Sequence, residues 1–270
     1  MHLDGSPEFT RRSVENALRL IGGKGRIHQF EPARKDPKVD IEVTLGAITE
    51  YVETGDIGAI ALSEVSANTI RRAAKVATIA AVEIELSLWS TEAIEDGVLQ
   101  TCAELDIPVL AYGKSARAQY AHVHTHRPVY SRNYVFSRTL APLGRGILTG
   151  KVKSLSDIPE GDFRRSLPRY KPDVFDANLR LVSEVEKLAA SKGCTPAQIA
   201  INWILALSRR PGMPKIIPIP GAGSPERVRE NAVELELTDE DMAEIDRIVR
   251  QFAPIGERYD AHGMAMVDKS

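Results

Sequence analysis

Short apolar segments alternate with amphipathic segments along most of the chain, and this alternation constrains the fold more than any other feature. The amphipathic segments keep apolar residues three or four positions apart, as Ile41, Leu45 and Ile48 do, which is typical of helices with one buried face. Each parallel strand needs a crossover connection to the next one, and a helix is the usual connection. The alternation therefore predicts an α/β protein with a parallel sheet. Its predicted strands are 26–30, 57–62, 79–85, 107–112 and 216–219.

The segment 215–231 combines a buried strand, a glycine turn and a helix start. Gly221 and Gly223 allow a close backbone approach, and Ser224 is a helix N-cap followed by proline at the first helical position. Arg227 then falls in the first turn, where a cation opposes the helix dipole. A phosphate bound between the turn and the guanidinium would explain this placement. A solvated surface arginine is the alternative that the sequence leaves open.

The composition excludes several classes of partner. The 270 residues carry a net charge of −2, with 43% hydrophobic and 27% charged residues, so nothing suggests a basic field for nucleic acid or an anionic membrane. No apolar run is long enough to cross a bilayer. Cys102 and Cys194 lie in helical patterns rather than in a disulfide framework. These features predict a cytoplasmic protein with neither a nucleic-acid nor a membrane partner.

The segment 113–140 breaks the alternation. It holds five lysines and arginines, no acidic residue and no hydrophobic period, and a structureless segment of this length is uncommon inside a compact domain. We interpret it as an irregular basic insert, with a retained intron as the hypothesis for its origin, and expect it to be exposed with its two flanks close in space. His122, His124 and His126 alternate within it. A metal site is the weaker interpretation of this run, because no carboxylate or cysteine accompanies it.

Several motifs follow one another along the chain: 62–66, 81–85, 111–112 with 142–146, and 219–231. This succession resembles the aldo-keto reductases. Within them, segments 30–37 and 62–65 are most similar to the fungal pyridoxal reductase branch. The resemblance covers Ser6 to about Arg250 apart from the insert, and the tail from Pro254 is expected to be loosely ordered. It implies one domain over residues 1–270 with the (β/α)8 barrel fold, incomplete because strands 4–8 are recognisable and strands 1–3 are absent.

The resemblance also implies an NADP site on ten residues. Their roles divide along the dinucleotide, from the nicotinamide to the adenine. Ser63 and Glu83 would face the nicotinamide amide, Tyr112 would stack on its ring, Leu143, Gly144 and Gly146 would wrap the pyrophosphate, Ser224 and Arg227 would hold the 2′-phosphate, and Glu230 and Asn231 would lie at the adenine. The phosphate interpretation of Arg227, reached from the turn alone, agrees with this assignment.

The chain also departs from the family pattern. We find no candidate for the catalytic aspartate, tyrosine and lysine, Ala33 stands where a catalytic histidine is usual, Leu86 where a tyrosine is usual, and Gly223 where a phosphate-binding lysine is usual. The resemblance implies an NADPH-dependent reductase of an aldehyde or ketone, with pyridoxal or a specialised metabolite as the substrate. The chain itself is expected to be inactive. The alternative is a non-catalytic relic that binds a nucleotide, or binds homologues through the open barrel edge.

Overall fold

The computed structural model describes residues 3–23, 25–112 and 143–269, and a parallel sheet lies at the centre of this part of the chain. The strands are β1 (Ile60–Ser63), β2 (Ile79–Glu85), β3 (Val109–Tyr112) and β4 (Ile216–Pro218). They pair in chain order, and every neighbouring pair is parallel. The register sets Ser63 opposite Glu83, and Glu85 opposite Tyr112. The predicted α/β fold with a parallel sheet is confirmed.

The first predicted strand, 26–30, is reduced to two isolated parallel bridges. Ile27 bridges to Ile57, and Phe30 bridges to Ile60. The two backbones come very close here, as Gly58 shows. A Cβ added to Gly58 would lie 2.4 Å from the His28 carbonyl oxygen. Gly58 N–H donates to the Ile27 carbonyl at 2.8 Å. The predicted strand 57–62 accordingly becomes a regular strand only at Ile60, and the 26–30 segment still covers that edge of the sheet.

The opposite edge of the sheet is more open. Within the described residues, β4 pairs with β3 and with no second strand. Ile217 and Ile219 are each about 40% exposed beside it. An uncovered strand presents backbone donors and acceptors that can pair with another chain. The absence of barrel strands 1–3 and association through an open barrel edge stay predictions.

The helices begin where the sequence places their caps. Ser6 and Ser224 each accept a hydrogen bond from a backbone N–H three residues on, and Thr195 and Gln198 cap each other reciprocally. The predicted helix 91–105 is instead two short helices, because Gly97 adopts a left-handed conformation with φ 84°. The helices are α1 (Pro7–Ile21), α2 (Ile41–Glu53), α3 (Ala67–Ala73), α4 (Glu92–Glu95), α5 (Val98–Glu104), α6 (Pro172–Ser191), α7 (Pro196–Leu207), α8 (Pro225–Asn231), α9 (Asp239–Gln251) and α10 (Ala261–Met264), with 3-10 turns at Gly144–Thr149, Leu155–Asp157, Phe163–Ser166 and Pro168–Tyr170.

Helices cover the sheet and form one apolar core with it. Leu62, Val82 and Val109 of successive strands are fully buried, and Trp203 of α7 is among the largest side chains in the same core. Burial of aliphatic strand residues on this scale is the main source of stability for such a fold. None of the helices in the described ranges is long and apolar enough to cross a membrane.

The carboxyl-terminal tail differs from the expectation of loose order. Tyr259 is 6% exposed, α10 follows it, and the Asp268 carboxylate lies against Lys35. The reason is long-range pairing: three polar side chains of the tail, those of Arg258, Tyr259 and Asp268, reach partners more than 170 residues away. The prediction of a loosely ordered tail was wrong because it rested only on the position of the tail at the chain end.

The insert 113–140 lies outside the described residues, together with its histidine run and the flank that ends at Pro142. The expected exposure of the insert, the closeness of its flanks and the interpretation of its histidines therefore stay predictions. The same is true of the single-domain boundaries.

Candidate functional site

The carboxyl ends of β1, β2 and β3 bring three of the predicted residues together. Because the strands are parallel, these ends meet at one edge of the sheet, and Ser63 lies directly opposite Glu83. Arg34 joins the group from the loop after the Phe30 bridge. Its guanidinium donates to Ser63 Oγ at 3.1 Å and to the Tyr112 hydroxyl at 3.4 Å. The nicotinamide end of the predicted site is therefore one connected polar cluster.

A pair of carboxyl groups lies within this cluster. The Glu31 and Glu83 carboxyls lie close enough to influence each other's ionisation, near the cation of Arg34. Burial and the adjacent Glu83 carboxylate raise the pKa of Glu31 to about 8, and burial raises the pKa of Glu83 as well. The pair therefore holds a proton to higher pH than two separate glutamates would, because both carboxyls cannot ionise side by side at low cost.

A cavity of about 380 Å³ opens beside the carboxyl pair. Phe9, Phe30 and Leu62 contribute much of its apolar wall, while Glu31 and Arg34 contribute polar groups. A mainly apolar cavity with a few convergent polar groups is typical of small-molecule sites. Its size and lining suit a ligand that has an apolar body and one polar end.

The turn 143–146 follows a tight, left-handed course. Gly144 and Gly146 have φ of 55° and 87°, and a Cβ on Gly144 would lie 2.8 Å from Trp89 Cβ, so no larger residue fits there. The Tyr170 hydroxyl donates to the Gly144 carbonyl at 3.0 Å and fixes the turn from below. The Leu143 side chain is fully buried, so any contact of that residue with a ligand must come from its backbone.

Arg145, in the middle of this turn, also has a positive φ, and its side chain points inward rather than to solvent. Its guanidinium is 3.4 Å from Glu85 Oε2, donates to the Arg258 carbonyl at 3.0 Å, and stacks 4.9 Å above the Tyr259 ring. The Tyr259 hydroxyl donates to the same Glu85 oxygen at 2.5 Å. This cluster, which we call the Glu85 cluster (Glu85, Arg145, Arg258 and Tyr259), is buried.

Helix α8 carries the other end of the predicted site. Ser224 caps the helix, and Arg227 Nη1 lies 2.5 Å from Glu230 Oε2. Asn231 is only 9% exposed, yet neither its amide nitrogen nor its amide oxygen has a hydrogen-bond partner within the described part of the chain. Gln198 of α7 donates to the Glu230 carbonyl at 3.4 Å and steadies the helix end. A buried amide without partners is costly unless something else completes it.

The two ends of the predicted site are linked through the sheet. Ile219, which opens the turn before α8, donates its N–H to the carbonyl of Ala111, the residue before Tyr112. The pyrophosphate turn is tied to the same edge through Arg145 and Glu85, which faces Tyr112 across the sheet. The predicted residues thus lie either in the strands themselves or on a turn or helix that is tied to the carboxyl edge of the sheet. The register of the strands fixes this arrangement.

Several site residues were missed from the sequence. Arg34 and Arg145 lie inside motifs that the resemblance singled out, so their charge at those positions was an available signal. Glu85 was named only as part of a strand, although an acid at the buried end of an apolar strand calls for a partner. Tyr259 offers no local signal, because its partner is 174 positions away.

Comparison with known proteins defines the class. The aldo/keto reductase family model matches residues 1–118 and 128–250, so the chain belongs to that family. The match is interrupted inside the predicted insert. Among individual proteins, the chain is 34% identical over 262 residues to the probable pyridoxal reductase 2 of Schizosaccharomyces pombe, covering 95% of this chain and 69% of that protein. It is 35% identical to the aldo-keto reductase yakc [NADP(+)] of the same organism, covering 96% and 67%.

A solved structure agrees with the fold. A glycerol dehydrogenase from Gluconobacter oxydans superimposes with a TM-score of 0.73 at 24% identity, covering 95% of this chain and 68% of that chain. The prediction of an aldo-keto reductase, most similar to the pyridoxal reductase branch, is confirmed by these relatives. The chain is an oxidoreductase by family.

Proposed function

We propose that this chain binds NADPH and reduces the carbonyl group of an aldehyde or ketone of the pyridoxal type. Family membership supports a reductase, one relative carries NADP(+) in its name, and another is called a probable pyridoxal reductase. The observation that carries the proposal is the buried amide of Asn231 on α8, which has no hydrogen-bond partner among residues 3–23, 25–112 and 143–269. An amide offers one donor edge and one acceptor edge, which match the N6 and N7 edge of adenine.

The neighbours of Asn231 suit the rest of the adenosine. Arg227 would hold the 2′-phosphate, with Ser224 at the helix start, and Glu230 would orient the Arg227 guanidinium or contact the adenine. The ion pair of Arg227 with Glu230 keeps the guanidinium in place before any ligand arrives. A prepositioned guanidinium loses less conformational entropy on binding than a free one.

The other end of the dinucleotide has matching groups. The backbone of Leu143, Gly144 and Gly146 offers close approach for a pyrophosphate. The nicotinamide amide has a donor and an acceptor, and Glu83 and Ser63 can accept and donate in return. The Tyr112 ring would form the stacking surface, although it is only 8% exposed.

The chemistry needs a hydride acceptor held beside a proton source. NADPH, when bound, supplies a hydride to the carbonyl carbon. Arg34 would offer a positive charge to the carbonyl oxygen as it becomes negative, and Glu31, whose pKa is raised to about 8, would offer a proton. The cavity of about 380 Å³ gives an apolar wall for the aldehyde. Glu31 is thus the group through which the described residues can deliver a proton.

A second candidate function is nucleotide binding without turnover. Burial raises the pKa of both Tyr112 and Tyr259, the opposite of what a proton-donating tyrosine needs. Their hydroxyls engage Arg34 and Glu85 rather than a lysine. This observation favours a binding protein. The expectation of inactivity through truncation, in contrast, gains no support from the comparisons, because relatives align over 95% of the chain.

Substitution of Asn231 by alanine tests the proposal. An unpartnered buried amide adds nothing to the stability of the free protein, so Asn231→Ala should leave the melting temperature unchanged or slightly raised. The same change should weaken NADPH binding by about ten-fold, since it removes the contacts to adenine. Calorimetric titration with NADPH and thermal denaturation of the free chain measure both effects. A variant that melts earlier but binds NADPH normally would contradict the assignment.

A further inference from the structure

We propose that the carboxyl-terminal segment 255–268 holds the turn 143–146 in its ligand-binding conformation, with Tyr259 as the positioning residue. The part of this inference that concerns the pyrophosphate rests on the proposed function. The part that concerns the turn itself stands on contacts within the chain. Segment and turn meet in the Glu85 cluster.

The turn needs an external anchor because of its backbone. Gly144, Arg145 and Gly146 follow one another with φ of 55°, 60° and 87°. Glycine adopts this left-handed region freely, whereas a residue with a side chain persists there only when its surroundings hold it. The Arg145 side chain contacts Glu85, the Arg258 carbonyl and the Tyr259 ring, and the Arg145 carbonyl accepts from Arg164 at 3.2 Å. Two of the three side-chain partners belong to the carboxyl-terminal segment.

Glu85 is the shared anchor of segment and turn. Its Oε2 accepts from the Tyr259 hydroxyl at 2.5 Å and lies 3.4 Å from Arg145 and 3.8 Å from Arg258. Arg258 also pairs with Glu64 at 3.2 Å. Two carboxylates and two guanidiniums therefore lie together in this largely buried cluster. Removing the segment would take Arg258 away from both Glu64 and Glu85, and loss of one partner of a buried ion pair is strongly destabilising.

The segment is fastened at its far end as well. The Asp268 carboxylate accepts from the Ser66 N–H at 3.1 Å and from the Thr69 hydroxyl, and it pairs with Lys35 at 3.2 Å. Between the two anchors, the segment borders a cavity of about 630 Å³ that Glu92 and other acidic side chains also line. The start of the segment is held as well, because Asn178 exchanges hydrogen bonds with Ile255 and Arg169 donates to the Gly256 carbonyl. The segment is thus a strap fastened at its start, at the Glu85 cluster and at Asp268.

The strap also lies close to Tyr112. Glu85, which accepts from the hydroxyl of the strap residue Tyr259, is the register partner of Tyr112 on the neighbouring strand. The same segment that fixes the pyrophosphate turn therefore borders the proposed nicotinamide surface. Docking of the strap and binding of the dinucleotide should be coupled.

Two ligands separate positioning of the turn from general damage. NADPH uses both the turn and α8, whereas adenosine 2′-monophosphate lacks the pyrophosphate and offers contacts only to the α8 end. Tyr259→Phe removes the hydroxyl from Glu85 and keeps the ring under Arg145. We expect this variant to bind NADPH about ten-fold more weakly and to bind adenosine 2′-monophosphate with unchanged affinity. Glu85→Gln should act in the same direction. Tyr51→Phe, which removes an exposed hydroxyl bonded to Glu15, is the matched control and should change neither affinity.

A proteolysis assay reads the turn without any cofactor. Arg145 is 4% exposed in the folded chain, so trypsin should cleave after it slowly. Tyr259→Phe should accelerate that cleavage by about ten-fold, measured by mass spectrometry, while Tyr51→Phe should not. The inference would be overturned if Tyr259→Phe were cleaved after Arg145 at the unaltered rate, or if it lost affinity for both ligands equally. If the unaltered chain binds neither ligand, the proposed function and the pyrophosphate part of the inference are wrong, and the cleavage result alone decides whether the strap positions the turn.

Discussion

Replacing Arg227 by alanine should weaken NADPH binding far more than NADH binding. Arg227 lies in the first turn of α8, with its side chain 22% exposed and its Nη1 2.5 Å from Glu230 Oε2. The 2′-phosphate is present in NADPH and absent from NADH. Loss of the guanidinium should therefore affect only the cofactor that carries this phosphate.

The magnitude follows from two opposing contributions. A charge-assisted contact to a phosphate contributes about 1.5–3 kcal/mol. Because Arg227 already pairs with Glu230 in the free chain, binding weakens that pair, which for partly exposed partners is worth about 0.5 kcal/mol. A net of roughly 1–2.5 kcal/mol remains, so the preference for NADPH over NADH should fall about ten-fold, within a range of about 5- to 70-fold.

Calorimetric titration of both cofactors into the unaltered chain and into two variants measures this change. The matched control is Arg229→Ala, which removes the same charge from the same helix. The Arg229 side chain is 77% exposed, and its ion pair with Glu226 is long, at 4.0 Å. We expect Arg229→Ala to leave the preference within about two-fold. An equal loss of NADPH and NADH in Arg227→Ala, or an equal effect of the control, would refute the phosphate assignment.

Three further outcomes are expected. The raised pKa of Glu31 makes the native state hold its proton to higher pH than the unfolded chain does. The unaltered chain should therefore lose stability between about pH 4.5 and pH 8, on the order of 2 kcal/mol after allowance for partial solvation. Urea unfolding across this range should show that Glu31→Gln lacks this loss. Gly144→Ala should cost about 1–3 kcal/mol in thermal denaturation, because its Cβ would meet Trp89 at 2.8 Å; Gly161→Ala, with no atom within 4 Å of the added Cβ, is the control. We propose that the open edge of β4 lets copies of the chain associate, so Ile217→Lys should shift light scattering towards the monomer, and no shift, or a monomeric unaltered chain, would contradict this.

Local patterns predicted much of the fold. Helix starts at Ser6, Thr195 and Ser224 depend on contacts within three residues, and each is confirmed. The parallel sheet followed from the alternation of strands and helices, and it too is confirmed. The 26–30 strand and the 91–105 helix were wrong in detail. Gly58 and Gly97 explain these errors, because the sequence shows a glycine without showing which neighbour it approaches.

The buried polar contacts could not be predicted in the same way. Arg145, Arg258 and Tyr259 converge on Glu85 from sequence distances of 60 to 174 residues, and no periodicity encodes such pairing. Pairing of this kind overrode the general tendency of chain ends to be loosely ordered. The cofactor residues came instead from the family resemblance. Asn231 shows what the structure adds, since the sequence gives no sign that its amide is buried without a partner in the part of the chain that the structure describes.

Consumption of NADPH with pyridoxal as the second substrate tests the central claim most directly. Absorbance at the reduced nicotinamide band would be followed with the purified chain, with NADPH binding checked by calorimetry on the same sample. The account predicts saturable oxidation at a rate on the order of 1 s⁻¹, with one alcohol formed per NADPH consumed. Oxidation at the uncatalysed rate by a chain that binds NADPH would contradict the reductase and favour the binding protein, and absence of NADPH binding would contradict both.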